Sequence, residues 1–157
     1  MAIISLVENK FKFLVFRIAA PAVLNIFYSF FPGKEKTLLI IKNDGIGDYI
    51  LFRNYLHFLK NSQKFRDFKI YLLANETSKD LAEYLDGNVV DGFFWYAESY
   101  FLKFKLVKLL VNLQRLRLHT IIYANYSRKY TTDWLVNNIK AKVKTAVDGD
   151  TINEPYS

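Results

Sequence analysis

The chain has 157 residues, 52% of them hydrophobic and 17% aromatic, the size and apolar content of one globular domain, which excludes a disordered chain. Cysteine is absent and the only histidines are His57 and His119, which excludes a disulfide framework and thiol chemistry and argues against a histidine-based metal site. Lys and Arg number 22 against 15 Asp and Glu, a formal charge of +7, so anionic partners such as phosphates, nucleic acids or acidic lipid surfaces are favoured.

Residues 1–33 form the first unit. Phe11 to Phe31 is almost wholly apolar, with Lys12 and Arg17 as its only charges, and is predicted to be a helix. It is long enough to reach across a bilayer. Arg17, Asn25 and the central Pro21 are costly in hydrocarbon, however, and no small-residue cleavage site of a signal peptide follows the apolar part. The favoured reading is an interfacial helix lying on a membrane with its cations at the polar edge. Packing on the rest of the protein and a true span are the alternatives.

After Pro32-Gly33, short apolar runs alternate with longer amphipathic ones, the pattern of repeated βα units. Thr37 to Lys42 reads as the first strand and Tyr49 to Lys60 as the first helix. Lys69 to Leu73 is a second strand. A short helix follows from Ser78 to Leu85, with Thr77 as its expected cap and Asp80 placed as in a capping box. Val89 to Trp95 is a third strand, interrupted by Gly92, and Phe101 to Arg117 a long helix. That helix carries Lys103, Lys105, Lys108, Arg115 and Arg117 and no acid. Thr120 to Tyr123 is the fourth strand, Thr131 to Ile139 a helix and Val143 to Val147 a fifth strand. Continuous apolar strands separated by helices imply a parallel sheet covered on both faces, and right-handed crossovers make it a doubly wound, Rossmann-like α/β domain over residues 36–150. Residues 151–157 read as a tail or a truncated linker.

The residues that point to chemistry sit in the loops after the strands. Lys42-Asn43-Asp44-Gly45-Ile46-Gly47-Asp48 joins the first strand to the first helix. Its two glycines permit a sharp turn and close approach of a ligand, beside the free N–H groups and positive dipole of a helix start. Ligands of open α/β sheets collect at such carboxyl ends. The loop lacks the Gly-Lys-Ser/Thr ending of a P-loop and the third glycine of the dinucleotide fingerprint. Asp48 is therefore read either as a carboxylate that complements the helix start or as a general base. Asp44 is its rival, or a turn-forming residue. After the fourth strand come Asn125, Ser127, Arg128 and Lys129, where Arg128 suits a phosphate or carboxylate of a substrate or is simply solvated. Asp148-Gly149-Asp150 ends the fifth strand as a common turn, and no metal is assigned to it. The basic helix has no recognised nucleic-acid motif around it; an anionic membrane surface accounts for its charge and for the apolar N-terminus together.

Thr37-Leu38-Leu39-Ile40-Ile41-Lys42 followed by Gly45-Ile46-Gly47-Asp48 and a helix resembles the opening of glycosyltransferase family 9, the heptosyltransferase-like enzymes of lipopolysaccharide assembly. The resemblance continues through Thr120 to Tyr123, the Ser127-Arg128 loop and Ala141 to Asp150. It implies one half of a GT-B type fold of paired Rossmann-like domains, with the acceptor on the N-terminal half and a nucleotide-sugar on a C-terminal half that lies beyond these residues. By that resemblance Asp48 is the catalytic base for an inverting transfer without an obligatory metal or cofactor, the nucleotide-sugar being a co-substrate. Lys42, Gly45, Gly47, Asn125, Ser127 and Arg128 are the expected substrate-binding residues. The implied partners are a glycan or glycolipid acceptor at the cell envelope, not nucleic acid, and the implied location is the cytoplasm, peripheral on the inner face of the cytoplasmic membrane. Where the family has a threonine and a proline after the aspartate, this chain has Phe52 and Asn54, with Arg53 between them. A non-catalytic module for anionic glycans or lipids is the alternative function.

Overall fold

Leu38, Leu39, Ile40 and Ile41 are fully buried, and this run, Thr37–Lys42 (β1), is the central strand of the molecule. The computed structural model describes residues 36–97 and 104–148, together with the helical residues Ile18, Ala19, Pro21, Ala22, Val23 and Ile26. The rest of the predicted N-terminal helix, the first residues of the predicted helix Phe101 to Arg117, Gly149, Asp150 and the tail lie outside the described residues.

From β1 the chain runs through α1 (Ile46–Asn61), β2 (Lys69–Asn75), a single 3-10 turn (Glu76–Ser78), α2 (Lys79–Asp86), β3 (Gly92–Tyr96), α3 (Phe104–Arg115), β4 (Leu118–Tyr123), α4 (Tyr130–Asn138) and β5 (Ala141–Ala146). The five strands form one all-parallel sheet in the order β3-β2-β1-β4-β5. This is a Rossmann-like α/β arrangement, as the sequence pattern predicts. Alternate residues of β1 face opposite layers, the period of a strand. Leu38 and Ile40 join Ile70 and Leu72 of β2 and Tyr49, Leu56, Leu59 and Ala82 of α1 and α2 in one core. Leu39 and Ile41 join Leu73, Ile121 and Tyr123 and the apolar faces of α3 and α4 in the other. Each fully buried aliphatic side chain of this kind contributes about 1.5–3 kcal/mol.

The elements match the predicted ones within a few residues, with one local correction. Thr77 does not cap the second helix: its backbone N–H donates to the Asn75 side chain at 3.0 Å, and Ser78 occupies the cap position without a side-chain hydrogen bond. Asn75 ends β2 and turns the chain by an Asx-type bond to the amide two residues on, so the 3-10 turn takes up the residues expected to begin the helix.

Candidate active site at the carboxyl edge of the sheet

β1 pairs with β2 on one side and β4 on the other. The chain leaves β1 into one helical layer and leaves β4 into the opposite one, so the loops after these strands diverge and open a crevice at the topological switch point. The floor of that crevice is a hydrogen-bonded lattice built from both loops. Asn43 and Asn125 are fully buried. The Asn43 backbone N–H donates to Asn125 Oδ1 at 3.2 Å, and Asn125 Nδ2 donates to Asn43 Oδ1 at 2.6 Å and to Asp44 Oδ1 at 2.8 Å. Asn43 Nδ2 reaches Thr132 Oγ1 of α4 at 2.8 Å, and Asn75 Nδ2 reaches the Asn43 carbonyl at 3.4 Å. Amides serve here because each supplies donors and an acceptor, which lets one pair of side chains satisfy two loops that leave the sheet in opposite directions.

Lys42 closes the lattice. Its Nζ lies 2.5 Å from Asp44 Oδ2 and 3.4 Å from the Ala124 carbonyl, and both partners of the ion pair are about nine-tenths buried. Arg128 is likewise turned inward: its Nε donates to Asp133 Oδ1 at 3.2 Å and its guanidinium stacks over the Tyr123 ring at 5.8 Å. Asp133 is in the first turn of α4, so this pair fixes the loop after β4 to the helix that follows. Lys42 and Arg128 thus meet carboxylates of the chain itself, and the solvated reading of Arg128 gives way to a buried ion pair. Ser127 is exposed on the same loop. Asn125 belongs to the lattice.

Asp48 differs from all of these. It sits in the first turn of α1, is exposed, and has no hydrogen-bond or ion-pair partner among the described residues. The cap of α1 is Gly45, with φ −65° and ψ 169° and no side-chain hydrogen bond. Asp48 complements the helix dipole, but its carboxylate is not occupied by backbone N–H groups. Neither Gly45 nor Gly47 has a positive φ, so the turn does not use the conformational freedom of glycine. What the glycines provide is room: a Cβ at Gly45 would lie 3.9 Å from Asp48 Oδ2, and one at Gly47 would meet nothing within 4 Å.

The helix that carries Asp48 is anchored from its other flank. Asp86, at the end of α2, is fully buried. It accepts hydrogen bonds from the Tyr49 hydroxyl and from Arg53, whose Nη2 and Nε lie 3.0 and 3.2 Å away, while His57 Nε2 stands at 3.4 Å. Tyr49, Arg53 and His57 recur every four residues and so share one stripe of α1. Arg53 is thereby explained as the clamp that balances a buried carboxylate. Sequence reading misses this anchor and the Asn43–Asn125 lattice, because their partners are 29 to 82 positions apart; the one available signal is polar side chains at the ends of apolar strands and helices.

Burial, then the hydrogen bond to Asp86 and the negative charge of that residue, raise the Tyr49 phenol well above its ordinary value of 10, and burial raises Tyr123 in the same direction. The unfolded chain therefore ionises first. The stability that these neutral phenols contribute is complete below pH 10 and is lost as pH rises beyond it. Urea unfolding between pH 8 and 11.5 is expected to show stability falling above pH 10, less steeply in Tyr49→Phe; parallel slopes in the two proteins would remove Tyr49 from this account.

The fold and the site define a Rossmann-like α/β domain with a polar crevice at its switch point and a solvent-facing carboxylate at the start of the first helix. A scan against protein-family models and searches of curated proteins and of solved structures find no match to this chain. Among the described residues there is no group of three or more His, Cys, Asp or Glu able to hold a metal, and no helix long and apolar enough to cross a membrane.

Proposed function

We propose that this chain is the acceptor-binding half of an inverting glycosyltransferase, with Asp48 as its general base. The observation that carries the reading is that Asp48 is the carboxylate at the switch-point loop left without a partner, whereas Asp44 and Asp133 are both engaged. In the proposed step Asp48 takes the proton of an acceptor hydroxyl. The oxygen attacks the anomeric carbon of a nucleotide-sugar from the face opposite its diphosphate, the carbon–oxygen bond to the diphosphate breaks, and the nucleoside diphosphate leaves with that electron pair. Stabilisation of the departing diphosphate, the larger electrostatic demand, falls to a donor-binding half. Association with the inner face of the cytoplasmic membrane would follow from a lipid-borne acceptor.

The test is transfer from sugar nucleotides to glycan acceptors by the purified chain, with and without a donor-binding domain in trans. Activity that requires both parts supports the reading; activity of this chain alone would put a donor site within it, and silence in both would favour a non-catalytic binding module. For such a module an anionic ligand has little support, because Lys42 and Arg128 already neutralise Asp44 and Asp133.

The open space above Gly47 gives a second check. Gly47→Ala introduces no contact within 4 Å and is expected to stabilise α1 by roughly 0.5–1 kcal/mol while raising the KM for the acceptor. A higher unfolding midpoint with an unchanged KM would mean that no substrate approaches the backbone there.

A further inference from the structure

The amino edge of the sheet, at the opposite end of β1 from the crevice, carries a cavity of about 320 Å³. Thr37 and Leu39 of β1 pair with Lys69 and Tyr71 of β2. All four share one face of the sheet, because register partners in a parallel ladder point to the same side and every second residue of a strand does so too. Leu39 belongs to the core beneath α3, so Lys69 and Tyr71 lie on the side of that helix. α3 runs back against the strands and ends at this edge, which brings Arg115 of its last turn and the following Leu116 to the same cavity. The apolar wall is the Tyr71 ring with Leu116. That ring lies over Gly92, its register partner on β3, where a Cβ would stand 3.1 Å from Cδ1 and Cε1 of Tyr71. The glycine that interrupts the third strand is thus the seat of an aromatic ring.

The other wall is charged. Among the described residues Lys36, Lys69 and Arg115 line the cavity, with Asp67 as its one carboxylate, a formal surplus of two positive charges. Asp67 is already engaged, by Lys36 at 3.2 Å and more distantly by Arg66 at 4.0 Å. Lys36 has a positive φ of 64°, a strained conformation that persists only where its surroundings hold it; its carbonyl accepts the Lys69 N–H at 2.8 Å. The side chains of Lys69 and Arg115 have no hydrogen-bond or ion-pair partner among the described residues. Lys42, Arg53 and Arg128 each meet a carboxylate of the chain itself; Lys69 and Arg115 leave that role open.

We infer that this cavity binds a small phosphate ester. The phosphate sits between Arg115, whose planar fork matches phosphate oxygens, and the ammonium of Lys69, and the organic group lies against Tyr71 and Leu116. A phosphate dianion cancels the surplus of two charges, and the volume falls within the range of small-molecule sites. Because the cavity is remote from Asp48 along β1, the inference stands apart from the transferase reading.

The test is an amide NMR titration of the full chain with phenyl phosphate at low salt and about pH 7.5, where the ester is a dianion. Shifts are expected at Lys69 and Leu116, with a Kd below about 1 mM. Lys69→Met and Arg115→Met should each weaken binding roughly tenfold, the loss of one charge-assisted hydrogen bond. Asp67→Asn should tighten it several-fold by removing the negative charge from the cavity wall. Lys142→Met, on β5 at the far side of the sheet, is the control for net charge and should leave the affinity unchanged. All four side chains are exposed, so the variants are expected to fold as the parent does. Unmoved amides at millimolar ester, or an equal loss of affinity in Lys142→Met, would overturn the inference. So would shifts seen only with vesicles containing phosphatidic acid, in favour of a lipid surface over a small molecule.

Discussion

Asp48→Asn, in the chain assayed together with a donor-binding half, is expected to lower glycosyl transfer by about 10²–10⁴-fold, the usual contribution of a positioned general base. Folding should hardly register the change. Asp48 has no hydrogen-bond or ion-pair partner among the described residues, so the variant loses only the interaction of a charge with the start of α1, about 0.3–1 kcal/mol. The contrast between a large kinetic loss and a small thermodynamic one separates catalysis from helix stabilisation. Asp44→Asn is the control, because Asp44 accepts from both Lys42 and Asn125 and its loss should destabilise the loop. Turnover that survives Asp48→Asn would return Asp48 to the role of a dipole-complementing surface residue.

The largest effect on stability is expected at the anchor of α1. Arg53→Met leaves the fully buried Asp86 carboxylate with Tyr49 and the more distant His57. The expected cost is about 3 kcal/mol, the lower end of the range for orphaning a buried charge, because Arg53 is itself 23% exposed. Combining Arg53→Met with Asp86→Leu removes both charges and should recover much of the loss, as replacement of buried pairs by apolar side chains often does. Urea denaturation of the single and double variants measures both quantities. A single variant within about 1 kcal/mol of the parent would show that the pair behaves like an exposed salt bridge. Transfer should also fall in Arg53→Met, since Tyr49 and Asp48 are neighbours on one turn.

The sheet was legible in the sequence because its strands are continuous apolar runs between amphipathic ones. Leu38 to Ile41 and Ile70 to Ala74 carry that pattern whatever their neighbours do. Boundaries shifted where a side chain captured the backbone, as Asn75 did at the end of β2. The site was legible only as a set of loops. Position along the chain put Lys42, Asp48, Asn125 and Arg128 at carboxyl ends, but which of them face solvent depends on pairings across the fold, Asn43 with Asn125 and Arg53 with Asp86, that no local pattern encodes. Arg53 looked like a departure from a family pattern and is the counter-ion of a residue 33 positions away.

The internal neutralisation of Lys42 and Arg128 also bears on the rate at which a ligand arrives. A surplus of seven positive charges would ordinarily speed the encounter of an anion with its site and make that rate fall with added electrolyte. At the switch-point crevice, however, the two buried cations are matched by Asp44 and Asp133, and Asp48 is the carboxylate left over. Lys42 and Arg128 therefore add little long-range attraction for an anion there, and what they contribute to capture is the fixed geometry of the two loops.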